Sequence, residues 1–467
     1  MPHTAGRASA ASVRAQGGRD RGGSLSGRLI IRGGRVVTPG GVRRTDIEVS
    51  GERVAGFDPR GSRDGEVIDA RGCYVLPGGI DSHTHLLGDV ASGTRSAAFG
   101  GTTTALCFTN PRPGESAPNA LIRGRREVEG RAVIDVDLHA IIGEPGRIST
   151  ADLEHLKRLG VRAIKLFLAF PEQGLMATDG CLYEVLHASV RHGFLVKVHC
   201  ENGGVIAALV ADHLARRRKG PAYFAYSRPP DVEDEAIGRT LAIAHLAHAP
   251  VYLTHMTTAG GIERVRAARA NGQMAYSEVC IHHLLLDASL YRGRRASRFL
   301  VAPPLRSREN VEALWSAVAD GTVDTIASDH SQMRYQPPLT NDFTGLPYGF
   351  AGIELRLPLL LSEGMRRGLS IRRIAQLSAT RPAQVFGLYP RKGAILAGSD
   401  ADLVVWDPRP RWEVKASALH DGIGASPYSG MTLQGSIRYV FLRGRLVVDD
   451  GELVGSSLSG RCLIPAA

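Results

Sequence analysis

Four histidines, one lysine and one aspartate have the types and positions to do chemistry together. His83 and His85 stand one residue apart in GGIDSHTHL. On a strand, side chains two positions apart share a face, so both imidazoles point the same way. Imidazole is the commonest metal ligand, though H-x-H pairs also arise by chance. His199 in VHCEN, His255 in LTHM and Asp329 in ASDH each close a short apolar run. Taken singly, such histidines are more often hydrogen-bonded residues than ligands, and an aspartate there can cap the next segment. Lys165, inside AIKLFLAF, is different. An unpaired ammonium in an apolar wall is costly, and among metal ions it would repel them. A neutral amine that adds carbon dioxide becomes a carbamate, whose two oxygens can bridge two cations. Four histidines, that carbamate and Asp329 then supply a two-metal site, and such nitrogen and oxygen ligands suit zinc. His139, His282 and His283 are read as structural, because no partner set needs them as ligands.

The elements that must hold these residues follow from the hydrophobic pattern. Eight apolar runs occur in order: CYVLPGGID, TTTALCFT, VDLHAIIG, AIKLFLAF, FLVKVHC, PVYLTHM, QMAYSEVC and VDTIASDH. Stretches with helical spacing separate them, among them NALIRGRREVEG, TADLEHLKRLG and GGIERVRAARANG. Strand–helix alternation predicts parallel βα units, and eight of them predict an α/β fold of the (β/α)8 TIM-like barrel type. The active site of such a barrel lies at the C-terminal ends of its strands, where the six residues converge. A doubly wound sheet is the rival, but no G-x-G-x-x-G follows the first run. The β-patterned segments near both termini are expected to pair into a small β-sandwich. The expected organisation is a disordered tail over 1–28, a composite sandwich from 29–77 and 392–467, and a barrel over 78–391.

Composition narrows the function. The 467 residues, 43% hydrophobic, can bury a large core. No apolar run reaches the roughly 18 residues of a membrane span, so no membrane role is expected. The Arg-, Gly- and Ser-rich start lacks the apolar core of a secretory signal. Six cysteines without a C-x-x-C pair read as reduced thiols in a cytoplasmic protein. The net charge of +11 raises nucleic acid as a partner. However, the basic residues are spread through the tail or mixed with acids, and the cluster Arg216–Lys219 reads as a solvated helix end. No nucleic-acid partner is expected.

Beyond the tail, the chain resembles the cyclic amidohydrolases of the amidohydrolase superfamily, in the dihydropyrimidinase/hydantoinase branch. The segments VLPGGIDSHTHL, AAFGGTT, VHCEN, APPLR, ASDH, PYGFAGIELRLPLLLSEG and KGAILAGSDADLVVWDP carry the resemblance, in the family's order. It implies that His83, His85, Lys165 and Asp329 hold one zinc ion. Carboxylated Lys165, His199 and His255 would hold the second. It also implies Asp329 as the catalytic proton carrier, a small cyclic amide as substrate, and a homotetramer or homodimer.

The departures from the family lie at the substrate. Phe170 stands where tyrosine is usual, which removes a hydroxyl able to assist the oxyanion; one such donor is worth about 3 kcal/mol. The segment LLGDVASGTR, after the histidine pair, is shorter than the family's usual loop. Ala302 replaces a usual serine and Tyr348 a usual asparagine, and all three positions are expected to face substrate. Together they argue against dihydrouracil and leave 5-substituted hydantoins, other cyclic ureides or imides, and allantoin. Allantoinase is thus the enzymatic alternative. A non-catalytic scaffold is the alternative from another class, but assembly proteins of this family have lost metal ligands, and here all six positions are filled.

Overall fold

The computed structural model describes residues 27–464, apart from 60–64, 144, 145, 147, 333–341, 456 and 457. The expected N-terminal tail lies almost wholly outside the described residues. Two nine-stranded sheets organise the rest.

The first sheet is the barrel. Its strands are Gly79–His85, Thr102–Phe108, Asp135–Ile141, Ala163–Phe167, Leu195–His199, Val251–Leu253, Ala275–Cys280 and Thr325–Ala327, each parallel to the next. The short segment His330–Ser331 pairs with the first strand and so closes the ring. Its separation from Thr325–Ala327 is a turn at Ser328 and Asp329, so the run VDTIASDH contributes two strand pieces rather than one. The helices between strands start where their sequences provide caps. Ser149 and Asp152 form a reciprocal capping box on Thr150–Arg158, and Thr178 caps Asp179–His192.

The second sheet joins both ends of the chain. Strand Tyr74–Pro77 pairs antiparallel with Leu403–Glu413 on one side and parallel with Arg28–Thr38 on the other. The sheet curls, so that Val54 exchanges backbone hydrogen bonds with Gly398 and Ser399. Its own core gathers Leu29, Ile31, Ile47 and Val75 with Leu403, Val405 and Phe441.

CYVLPGGID, expected to be a single strand, is divided between the two sheets. Gly78 donates its N–H to the Asp402 carbonyl and Gly79 donates to that of Gly101. A Cβ on Gly78 would lie 2.2 Å from the Thr103 hydroxyl, so glycine is required where the chain crosses between sheets. Arg216 caps helix Gly203–Ala215 and pairs with Asp212, as expected of a solvated helix end. Among the described residues no disulfide joins the six cysteines, and five of them are buried. Among the described residues, no helix is long and apolar enough to cross a membrane.

Candidate metal centre

The first barrel strand delivers His83 and His85, and both reach Asp329. His83 Nε2 lies 3.1 Å and His85 Nε2 3.5 Å from Asp329 Oδ1. The fifth strand and the turn after the sixth bring His199 Nδ1 within 2.9 Å of His255 Nε2. The ring centroids of His83 and His255 are 5.2 Å apart, which joins the two groups into one cluster. Lys165, on the fourth strand, is fully buried and donates to Thr254 Oγ1 at 2.6 Å; that hydroxyl also lies 3.2 Å from His255 Nε2. All six residues therefore meet at the C-terminal end of the barrel. Ligand-capable atoms of His83, His255 and Asp329 all lie within 4.8 Å of one another.

Backbone geometry contributes to this convergence. His255 and Asp329 sit at φ of 37° and 48°, a left-handed region that non-glycine residues rarely occupy. Each costs on the order of 1–3 kcal/mol, a strain typical of functional sites. Turning the chain there aims both side chains into the barrel mouth.

Electrostatics prepares the cluster for a cation. Burial brings His83 down to about 4, against the opposing pull of Asp329 and Glu278. Burial also lowers His199 and His255, leaving their rings neutral at physiological pH. Burial alone would raise Asp329, but His83 and the neighbouring imidazoles hold its carboxyl well below the usual range. Burial, then the nearby Lys197 ammonium, brings the Lys165 amine down to about 7. Neutral imidazoles, an ionised carboxylate and a readily neutralised amine are the protonation states that metal ligation requires. Nδ1 of His255 is buried and has no hydrogen-bond partner among the described residues. The donor set thus fits metal ions.

The three positions that depart from the family pattern also come together. Phe170, Ala302 and Tyr348 join Phe108, Phe167 and Leu175 in one apolar cluster beside the histidines. The Phe170 ring lies 4.9 Å from that of His199 and stacks nearly parallel to Tyr348 at 6.1 Å. The Tyr348 hydroxyl accepts from Gln173 Nε2 at 2.7 Å. After His85 only a short turn intervenes before Asp89 caps helix Val90–Phe99. His139 packs beneath the centre against Phe108 and Phe386, and His283 donates to the Pro303 carbonyl. His282 and His283 form a second buried group with Cys280.

Reading the sequence missed two carboxylates. Glu201 Oε2 lies 2.7 Å from His199 Nε2, and Glu278 Oε1 lies 2.6 Å from His83 Nδ1. Glu201 follows His199 by two residues in VHCEN, a spacing that could have marked it. Glu278 is a charged residue inside the apolar run QMAYSEVC, the same anomaly that singled out Lys165.

The sequence pattern of the amidohydrolase family matches residues 74–447. The chain belongs to that family. This amidohydrolase is 35% identical to a D-hydantoinase of Ralstonia pickettii over 450 residues, covering 93% of this chain and 98% of the relative. It superimposes on the crystal structure of a dihydropyrimidinase from Brevibacillus agri with a TM-score of 0.90 at 35% identity, covering 93% and 98% of the two chains. An L-hydantoinase (dihydropyrimidinase) from Arthrobacter aurescens matches with a TM-score of 0.85 at 28% identity, over 94% of this chain and 99% of that one. The expected branch of the family and the expected barrel with its added sheet are both borne out.

Proposed function

We propose that this amidohydrolase opens the ring of a small cyclic amide at a two-zinc centre. The observation that carries the reading is the meeting of His83, His85, Lys165, His199, His255 and Asp329 at one end of the barrel. His83, His85, Asp329 and Lys165 would hold one ion; His199, His255 and the same lysine would hold the other. Lys165 serves as the carbamate: its neutral amine forms a C–N bond to carbon dioxide and releases a proton. The chemistry that zinc would supply there, when bound, is a hydroxide near neutral pH and polarisation of the scissile carbonyl.

The chain's own residues do the rest. Asp329 takes the proton of the attacking water at its carboxylate and returns it to the leaving ring nitrogen. Phe170, Tyr348 and Ala302 face the substrate ring with apolar surface and exclude water from it. Phe170 has no hydroxyl, so this position donates no hydrogen bond to the developing oxyanion. From a hydantoin or dihydropyrimidine the product is an N-carbamoyl amino acid. Six cysteines with no disulfide among the described residues favour a cytoplasmic setting, and the resemblance carries a homotetramer or homodimer, to be measured as mass in solution.

The test is ring opening by protein reconstituted with zinc and bicarbonate. The panel is dihydrouracil, hydantoin, 5-phenyl- and 5-alkylhydantoins, allantoin, dihydroorotate and succinimide. Turnover of 5-substituted hydantoins above dihydrouracil is expected. Two bound zinc ions with no turnover of any cyclic amide would overturn the reaction, and no bound zinc would overturn the metal centre.

A further inference from the structure

Glu278 occupies the middle of the seventh barrel strand and is fully buried. Burying a carboxylate is costly unless its oxygens are paired, and here both are. Oε1 lies 2.6 Å from His83 Nδ1 and accepts the backbone N–H of His255 at 3.2 Å. Oε2 accepts the hydroxyls of Ser82 and Tyr252, each at 2.7 Å. Nearby, the Lys197 ammonium donates to the Ser82 carbonyl at 2.5 Å. One side chain thus ties the first, sixth and seventh strands together at the level of the metal centre.

An ionised carboxylate only accepts hydrogen bonds, so the hydrogen between Glu278 and His83 sits on Nδ1. That choice leaves the Nε2 lone pair of His83 facing Asp329, where a ligand atom is needed. The second contact is to the backbone of His255, which holds a left-handed conformation at φ 37°. We propose that Glu278 is a positioning residue of the metal centre, setting the tautomer of His83 and the backbone of His255 so that one carboxylate orders a ligand of each ion. This rests on the two-zinc reading. It assigns Glu278 a task that its place in the barrel interior does not by itself require. A carboxylate that merely stitched strands together could bond any donors, whereas this one meets two of the six site residues. Outer carboxylates of this kind orient metal-bound histidines, and their loss weakens metal binding by ~10–100-fold.

The experiment compares the full chain with Glu278→Gln and with Tyr252→Phe, which removes a contact of the other carboxylate oxygen. Zinc dissociation constants are measured by chelator competition, visible spectra on cobalt-substituted protein, and thermal midpoints on metal-free protein. Glu278→Gln is expected to weaken zinc by ~10–100-fold and shift the cobalt bands. Tyr252→Phe is expected to lower the metal-free midpoint while leaving affinity and spectrum as in the wild type. Equal affinity and an unchanged spectrum in Glu278→Gln would overturn the proposal while leaving the two-zinc reading intact. A wild-type chain that binds no zinc would overturn both. Should Glu278→Gln fail to fold, nitrogen-15 spectra of histidine-labelled, metal-free wild type decide. A hydrogen on Nδ1 of His83 supports the proposal, and a hydrogen on Nε2 overturns it.

Discussion

Two lysines of this protein are equally buried and differently used. Lys392 lies where the composite sheet meets the barrel, with Asp402 at 2.6 Å, Asp135 at 2.8 Å and Asp400 at 3.2 Å. Arg443 also pairs with Asp135. Burial alone would lower Lys392, but these carboxylates keep its amine above the ordinary lysine value. Lys165, at the mouth of the same barrel, donates among the described residues to a threonine hydroxyl, and its amine falls to about 7. Burial is common to both, and the neighbours decide the outcome. A lysine surrounded by carboxylates is a fixed cation joining two parts of the fold. Lys165 makes no ion pair with a carboxylate among the described residues, and the more distant pull of Glu278 and Asp329 does not offset burial, so its amine is readily neutralised.

The largest effect should come from the reactive member of the pair. Lys165→Ala is expected to lose the bridged metal and reduce ring opening by ~10³-fold or more, the several kcal/mol that a metal supplies. Zinc content and turnover check it, and short added carboxylates should restore part of both. Full activity in this variant would remove the chemical half of the contrast.

Lys392→Met should act on stability instead. It leaves a group of buried carboxylates without their shared cation, which costs about 3–5 kcal/mol. The urea midpoint should fall while zinc per folded chain stays at the wild-type value.

A third prediction uses pH on metal-free, uncarboxylated protein. The folded state holds Lys165 near 7, while in the unfolded chain it lies near 10.5. Between those values the unfolded state binds more protons, so this lysine's cost is full below pH 7 and relieved as pH rises. Lys165 should contribute up to about 1.4 kcal/mol of stability per pH unit across that window. Urea unfolding at two pH values should show a shallower rise in Lys165→Met and an unchanged one in Lys392→Met. Smallest is Phe170→Tyr, which restores a hydroxyl beside His199. A rise in kcat of about tenfold, equivalent to ~1.4 kcal/mol, is expected with KM little changed.

The candidate site was largely legible because its residues break local patterns. Lys165 interrupts an apolar run, and His83 and His85 share a strand face through the two-residue period. The carboxylates behind the histidines were less legible. Glu278 is separated from His83 by 195 positions, and no local pattern announces that pair. Phe170, Ala302 and Tyr348 were visible only as departures from a family pattern. Their common apolar cluster depends on loops from separate strands meeting at the barrel mouth.

By itself the sequence determined the alternation of strand and helix, the barrel it implies, and the candidate ligands in its strands or just after them. Those follow from periodicity and chain order, which are local properties. Tertiary structure alone decided which lysine is paired, which carboxylate stands behind which histidine, and where the chain passes from one sheet to the other. It also decided the left-handed turns at His255 and Asp329. Each of these depends on contacts between distant residues, whose energies exist only once the barrel has closed.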